Sequence, residues 1–228
     1  IRYNTDSNKM ECFNGTKWYE ISVSSPDLDG GARGTFSGGH TPTRLNIIDY
    51  ITIPTAGNAV DFGDITAARS ASGSNGSRTR GLHGGGTEPG NTDVIDFWVF
   101  SSTGNAVDFG NLVGAVHWNQ PTSSATRGVW AQGNNPGSSN IIQYVTMASS
   151  GNAVDFGDMS YGAAVSSNSS NQSPTRGFFG GGTPTTTNVI EYITTATLGN
   201  SQDFGDSSTH VAREARGSSS TRALLIGG

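Results

Sequence analysis

A unit of about 47 residues recurs along this chain, and this period constrains the fold more than any other feature. The string Gly-Asn-Ala-Val-Asp-Phe-Gly occurs at Gly57–Gly63, Gly104–Gly110 and Gly151–Gly157, and a looser copy spans Gly199–Gly205. A second anchor, Asn46–Ile51, has three related copies in the same order relative to the first. Because one such unit cannot bury its own apolar surface, we expect successive units to pack on one another.

Each unit predicts four short β-strands. Arg176–Gly182 is an apolar segment that ends in glycines, which permit a tight turn. Val189–Thr194 alternates apolar and polar residues as a half-buried strand does, and Ala153–Asp158 predicts a third strand after a Gly-Asn turn. Ala163–Ser170, rich in small residues, predicts the fourth. Four strands in about 47 residues match one blade of a β-propeller, so we predict an all-β fold of four-stranded blades.

Composition argues against several classes of protein. Charged residues are only 14% of the chain, Lys9 and Lys17 are its only lysines, and the formal net charge is −5. Nucleic acid needs a clustered basic face, so we do not expect it as a partner. No apolar run approaches the ~20 residues of a membrane span, and we expect no membrane insertion. Cys12 is the only cysteine, and no spacing of residues suggests a metal or a cofactor.

The order of the predicted strands resembles the kelch repeat. It runs from a small-residue strand to one ending in Gly-Gly, one containing Tyr, and a closing strand with an aromatic residue. Phenylalanine stands where kelch units carry tryptophan, at Phe62, Phe109, Phe156 and Phe204. The repeated residues, as in Asn188–Thr194, are similar to repeat arrays in structural proteins of phages and other aquatic viruses. Residues 1–21 resemble a β-hairpin module of phage tail-fibre and appendage proteins.

We predict one domain over residues 1–228, with repeats at about 32–78, 79–125, 126–174 and 175–220 and a partial repeat at 221–228. The partial repeat lacks its last two strands, and the N-terminal segment 1–22 is expected to supply them. Ser7–Phe13 aligns with Thr187–Ile193, and Trp18 takes the place of the repeated phenylalanine. The result is a propeller of five kelch-like blades, one of them shared between the chain ends.

Two alternatives to this closure stay open. Arg2–Asn4 could itself form a strand, which would leave one strand too many for the shared blade. The chain could equally be a fragment of a longer array.

An arginine and an aspartate recur in register with the repeat. They are Arg33, Arg80, Arg127, Arg176 and Arg222, with Asp61, Asp108, Asp155 and Asp203. A ring of arginines at a channel mouth could bind sulfated or carboxylated glycans. We expect a structural role instead, each arginine pairing with an aspartate or with backbone carbonyls. The string Asp-Phe-Gly also holds magnesium in kinases, but the phosphate loop and the other kinase motifs are absent.

Departures from the repeat are the better candidates for binding, because such positions are free of the demands of the scaffold. Trp98, Trp118 and Trp130 stand where other units carry smaller or different residues, and His117 precedes Trp118. Exposed aromatic rings beside asparagine and glutamine side chains would form a glycan-binding surface. The alternative is that the tryptophans fill gaps between the blades.

No combination of residues predicts catalysis. A glycosidase needs two carboxylates flanking one bond, and most acidic residues here lie in repeated positions. The viral resemblance implies a non-enzymatic virion component, such as a tail fibre, an appendage or a capsid decoration, located on the particle and thus extracellular. Its partners would be other virion proteins and a host-surface glycan or receptor, bound through many copies. A free carbohydrate-binding lectin with equivalent sites between blades is the alternative.

Overall fold

A computed structural model of the chain describes residues 1–5, 9–20, 33–134, 136–164, 171–183, 187–211, 214–219 and 221–227. The regular elements of these residues are all β-strands, paired antiparallel. The predicted all-β class is therefore confirmed. The described residues contain no helix that is long and apolar enough to cross a membrane.

The first half of the chain forms three of the larger sheets. The N-terminal sheet contains β1 (Arg2–Asn4), β2 (Lys9–Phe13) and β3 (Trp18–Glu20). Sheet 1 contains β4 (Arg33–Ser37), β5 (Ile47–Thr52) and β6 (Val60–Asp64). Sheet 2 begins with β7 (Gly73–Gly76) and β8 (Arg80–Gly84). After a small hairpin of β9 (Thr87–Glu88) and β10 (Gly90–Asn91), it continues with β11 (Val94–Val99) and β12 (Val107–Asn111).

The second half repeats the arrangement of sheet 2. Sheet 3 contains β13 (Gln120–Ser123), β14 (Arg127–Ala131), β15 (Ser139–Thr146) and β16 (Val154–Ala163). Sheet 4 contains β17 (Asn171–Gln172), β18 (Arg176–Gly180), β19 (Thr187–Thr194) and β20 (Gln202–Val211). Sheet 5 has two described strands, β21 (Glu214–Ser218) and β22 (Ala223–Gly227).

Each complete sheet is a meander that begins at the small-residue strand. In sheets 2, 3 and 4 that strand pairs with the arginine strand that follows it, as β7 pairs with β8. Each hydrogen-bonded sheet therefore begins one strand earlier than the repeat predicted from the sequence, which begins at the arginine strand. The small-residue strands also lie next to one another, since β7 contacts β13, β13 contacts β17, and β17 contacts β21.

Three details differ from the sequence predictions or lie outside the described residues. The predicted Gly-Asn turn is wrong, because the chain reverses earlier, at Met147–Ser149, and Gly151 already donates its backbone N–H to Phe109 of the preceding sheet. Most of the predicted strand Ala163–Ser170 lies outside the described residues. Pairing of β2 with the last repeat is not formed between described strands. β2 pairs with β1 and β3 instead, so Arg2–Asn4 is the extra strand that the sequence left open.

Among the described residues, the hydrophobic core forms three clusters, which lie where sheet 1 meets sheet 2, sheet 2 meets sheet 3 and sheet 3 meets sheet 4. We call the side of a sheet that turns toward the following sheet its forward face. On the forward face of sheet 2, Leu82, Ile95 and Phe109 pack against Trp130 and Val145 of sheet 3. Equivalent clusters join sheet 1 to sheet 2 and sheet 3 to sheet 4. The stability of this chain therefore lies between its sheets.

Beside each apolar cluster, the repeated Gly-Asn-Ala segment forms hydrogen bonds to the backbone of the preceding sheet, and we call this segment the plug. Gly104 and Ala106 of sheet 2 donate backbone hydrogen bonds to Phe62 and Asp64 of sheet 1, both at 2.7 Å. The side-chain oxygen of Asn105 accepts the N–H of Asp64 at 3.1 Å. The same plug recurs with Asn152 in sheet 3 and with Asn200 in sheet 4. We call the strand segment that receives the plug the socket.

Glycine in Asp-Phe-Gly makes the socket possible. Gly110 has φ +145, and a Cβ built on it would lie 2.4 Å from the carbonyl oxygen of Gly151 in the next plug. Gly63 and Gly157 show the same φ and the same close approach. A side chain here would be strained by its backbone conformation and would also separate the two sheets.

Two side-chain links complete each contact. Arg80 lies over the ring of Phe97 in its own sheet and donates to the carbonyl of Met147 in the next sheet at 2.7 Å. Arg33 and Arg127 make the same pair of contacts. In the opposite direction, a polar side chain on the third strand accepts an N–H from the preceding sheet. These pairs are Thr66 to Asp96, Val113 to Gln143 and Ser160 to Glu191.

We predict that Gly110→Ala destabilises the protein more than Gly104→Ala does. Both glycines have positive φ, but a Cβ at Gly104 meets nothing within 4 Å. Gly104→Ala should therefore cost only the backbone strain, about 1–3 kcal/mol. Gly110→Ala should cost roughly a further 1–3 kcal/mol for overpacking against the plug. Urea unfolding of the two variants measures the difference, and equal losses would contradict the socket.

Candidate functional site

Two of the tryptophans that the sequence offered as ligand-binding residues are buried, and we correct that prediction. Trp130 is 0% exposed and donates its ring N–H to the carbonyl of Gly73 at 2.9 Å. Trp98 is 4% exposed and lies against Gly81, where a Cβ would come within 2.4 Å of the indole. Glycines in the adjoining strands leave the space that these rings fill. The rings pack between sheets and cannot stack on a sugar.

His117 and Trp118 are both partly exposed and lie side by side. Their ring centroids are 4.6 Å apart. Trp118 has φ +56 and donates its backbone N–H to the carbonyl of Ala71. The backbone of His117 pairs with that of Asn134. Ala71 occupies the equivalent position before sheet 2 and also has a positive φ of +59, so this loop conformation belongs to the repeat. Burial lowers the pKa of His117, and its backbone contact with Asn134 opposes that shift.

The remaining repeated residues fall into two groups. Arg33, Arg80 and Arg127 donate to backbone carbonyls, one of the two partner types expected of them. Arg176 stacks on Tyr192 without such a bond among the described residues, and Arg222 is exposed. The repeated aspartates, Asp61, Asp108, Asp155 and Asp203, are exposed on the outer strands. No salt bridge joins them to the repeat arginines in the part of the chain that the structure describes.

A buried polar cluster lies between sheets 1 and 2. Arg69 donates to Asp96 at 2.8 Å and to the carbonyl of His83 at 3.1 Å, and neither charged side chain is exposed. Nδ1 of His83 lies 2.9 Å from the hydroxyls of both Ser37 and Ser74. Burial and the charge of Arg69 lower the pKa of His83 to about 3. The cluster thus links sheets 1 and 2 through a neutral histidine, and Nε and Nη1 of Arg69 and Nε2 of His83 are buried in it without a hydrogen-bond partner among the described residues.

A cup forms where the turns after the small-residue strands meet. These turns contain Ser77, Ser124, Ser173 and Ser219. Each serine oxygen accepts backbone N–H groups two and three residues ahead, which fixes the turn. Because β7, β13, β17 and β21 lie next to one another, their turns surround one cavity of about 500 Å³. We call this cavity the serine cup.

Arg78 distinguishes the serine cup from a purely repeated surface. It is exposed, it is the one charged residue among the described residues that line the cup, and Ala125 and Pro174 occupy the equivalent positions. Hydroxyl and backbone groups at the rim suit a polyhydroxyl ligand, and a guanidinium suits a carboxylate or a sulfate. The sequence held this signal in its Ser-x-Thr-Arg turns. The repeat arginine at the end of this motif, which the sequence prediction singled out, lies in a contact between sheets at Arg80 and Arg127.

A second cavity, of about 550 Å³, lies on the forward face of sheet 4. Phe178, Ile190 and Phe204 form its floor, and Arg176 and Arg222 lie at its rim. We call it the open groove. It corresponds to the surface that the next sheet covers in sheets 1, 2 and 3.

Acidic residues line neither cavity, and no group of three or more metal-ligating side chains occurs among the described residues. In comparisons with known proteins, no family model matches the chain and no curated protein matches it. The function of the serine cup therefore has to be inferred from the chemistry of the residues that line it.

The pKa of His83 predicts a loss of stability in acid. Its ordinary value is 6.5 and its value in the folded protein is about 3, so the unfolded chain alone binds the proton between these values. The stabilisation is complete above about pH 6.5 and declines as the pH falls toward about 3, with a loss of about 3 kcal/mol by pH 4. His83→Asn keeps an acceptor for the serine hydroxyls and should flatten this decline. Urea unfolding between pH 7 and pH 4 measures both proteins, and parallel curves would refute the role of His83.

Proposed function

We propose that this chain is a non-enzymatic recognition module of a virus particle, built as a five-bladed β-propeller of kelch-like blades. It binds an acidic host-surface glycan in the serine cup and acts in many copies on a tail fibre, an appendage or a capsid decoration. The observation that carries this proposal is the serine cup itself, with Arg78 as its one charge. The viral location is supported by the resemblance of the repeats and of residues 1–21.

The packing of the sheets supports the propeller. Three successive contacts use the same plug, the same arginine and the same polar acceptor, so each sheet is turned relative to the last in a similar way. The small-residue strands lie together on one side of this arrangement. A constant turn with one edge always innermost generates a ring of blades around an axis.

The serine cup would lie at one end of that axis. A ligand there touches turns from several blades at once, and Arg78 orients it through its charge. The absence of carboxylates from the lining, as far as the chain is described, favours binding over hydrolysis of a glycosidic bond. The chemistry fits a sugar that carries a carboxylate or a sulfate.

We predict that the protein binds sulfated or sialylated glycans on an array and that Arg78→Ser weakens this binding. Loss of one charge-assisted contact should lower the affinity roughly 10- to 100-fold. Arg44→Ser is the matched control, since it removes the same charge from the loop between β4 and β5, outside the cup lining. If Arg78→Ser binds as wild type does, or if Arg44→Ser loses as much, the serine cup is not the site.

The number of ligands separates this proposal from the lectin with sites between blades. Trp98 and Trp130 already fill two of the contacts between sheets, whereas the turns of the described strands form the serine cup once. Titration calorimetry of the isolated chain should therefore give one ligand per chain. Several equivalent ligands would favour the lectin.

Placement on a particle needs its own test. Peptides of this chain should be found by mass spectrometry in virions purified on a density gradient, in fixed proportion to a capsid protein. Their absence there, with glycan binding intact, would leave a free lectin in place of a virion component.

A further inference from the structure

The forward faces of sheets 1, 2 and 3 are covered by the sheet that follows, and that of sheet 4 is not. Phe62, Phe109 and Phe156 are 2%, 2% and 3% exposed, whereas the equivalent Phe204 is 54% exposed. Phe204 still packs edge-on against Phe178 and Tyr192 in its own sheet. It is the cover from a following sheet that is missing.

The contacts that join other sheets are also unfilled at this position. Gly205 has φ +132 and meets nothing within 4 Å, although Gly63, Gly110 and Gly157 each receive a plug. Arg176 has no carbonyl acceptor among the described residues, although Arg80 and Arg127 have one in the next sheet. A socket with the features of the three filled ones is therefore open on β20.

The open groove limits what can occupy this socket. Ser219, Thr221 and Arg222, in the turn between β21 and β22 of sheet 5, form one wall of it together with Ala223, and Phe204 lies at the other side. β21 and β22 thus hold the places of the first two strands of a fifth blade. The occupant must supply the two strands that follow, an aromatic side chain against Phe204, and an asparagine for the N–H of Asp206.

Strands β2 and β3 have these properties. They form an antiparallel hairpin, and Met10, Phe13 and Trp18 on it are between 41% and 47% exposed. Asn14 precedes Trp18 by four residues, as Asn105 precedes Phe109 and Asn200 precedes Phe204. The chain therefore contains an uncovered socket and an uncovered hairpin in which the spacing from asparagine to aromatic residue is that of a plug, with Asn14 at the start of the turn between β2 and β3.

We infer that β2 and β3 dock in the open groove as the third and fourth strands of the fifth blade, with Asn14 as the plug for β20. β22 then takes the edge of β2 that β1 occupies, replacing a three-residue strand with a five-residue one. The side-chain oxygen of Asn14, which caps its own turn at Thr16 and Lys17, turns toward the N–H of Asp206. This inference rests on the proposed five-bladed ring and specifies how it closes.

Docking in this way leaves one weak contact in the ring. Tyr19 stands in β3 where the filled sockets have glycine, and its side chain would exclude the plug of sheet 1. Gly57 and Asn58, the residues of that plug, are exposed and bind no preceding sheet among the described residues. The seam of the ring therefore lies between β3 and sheet 1, and the contact between β20 and Asn14 holds the N-terminal segment.

Amide hydrogen exchange of Asp206, followed by NMR on the full-length protein, tests the docking. In the wild type its N–H should be protected, as that of Asp158 is expected to be through its bond to Asn200. Asn14→Ala should speed exchange at Asp206 on the order of tenfold or more and leave Asp158 unchanged. Asn14→Asp keeps an acceptor oxygen and should restore the protection.

Other outcomes overturn the inference. Fast exchange at Asp206 in the wild type means that the socket is empty, and protection that survives Asn14→Ala means that another group fills it. Protection that appears only at high protein concentration, together with a dimer in sedimentation, assigns the hairpin to a second copy. Glycan binding by the serine cup tests the proposed function separately, because Asn14 and Asp206 lie outside the cup.

Discussion

The seating of Gly-Asn-Ala on the Phe-Gly-Asp strand of the preceding sheet is the interaction on which the rest of this structure depends. It brings two backbones so close that only glycine fits at Gly63, Gly110 and Gly157. Because the sheets lie this close, the phenylalanine before each glycine is buried by the following sheet. The same short distance places each arginine within hydrogen-bonding reach of a carbonyl in that sheet. One heptapeptide thus encodes both halves of an interface, the plug at its start and the socket at its end.

This double role makes every sheet contact directional. A plug points backward along the chain and an arginine points forward, so the two faces of a sheet are never interchangeable. A stack of such sheets presents unlike surfaces at its two ends, here the free Gly57–Asn58 plug and the open groove on sheet 4. These two ends are of complementary kinds, a plug and a socket, as are the two sides of each filled contact.

The sequence was sufficient for those features that a local pattern determines. Alternation in Val189–Thr194 correctly predicted a strand, because the side-chain period acts within one strand. Gly-Asn was misread as a turn, since the partner of Gly151 is Phe109, in the preceding sheet and far along the chain. The serine cup was missed for the same reason. Ser77 and Ser219 are local turn residues until the packing of the sheets brings their turns together.

Residues that differ from the repeat have two different roles, and only the fold distinguishes one role from the other. Trp98, Trp130 and Arg69 are unlike their counterparts because individual sheet contacts differ in shape, with glycine or a buried carboxylate opposite them. Arg78 differs at an exposed turn whose backbone is already fixed by Ser77. In a repeat protein, an unlike residue on a fixed and exposed turn is therefore a stronger sign of recognition than an unlike residue of any size in the core.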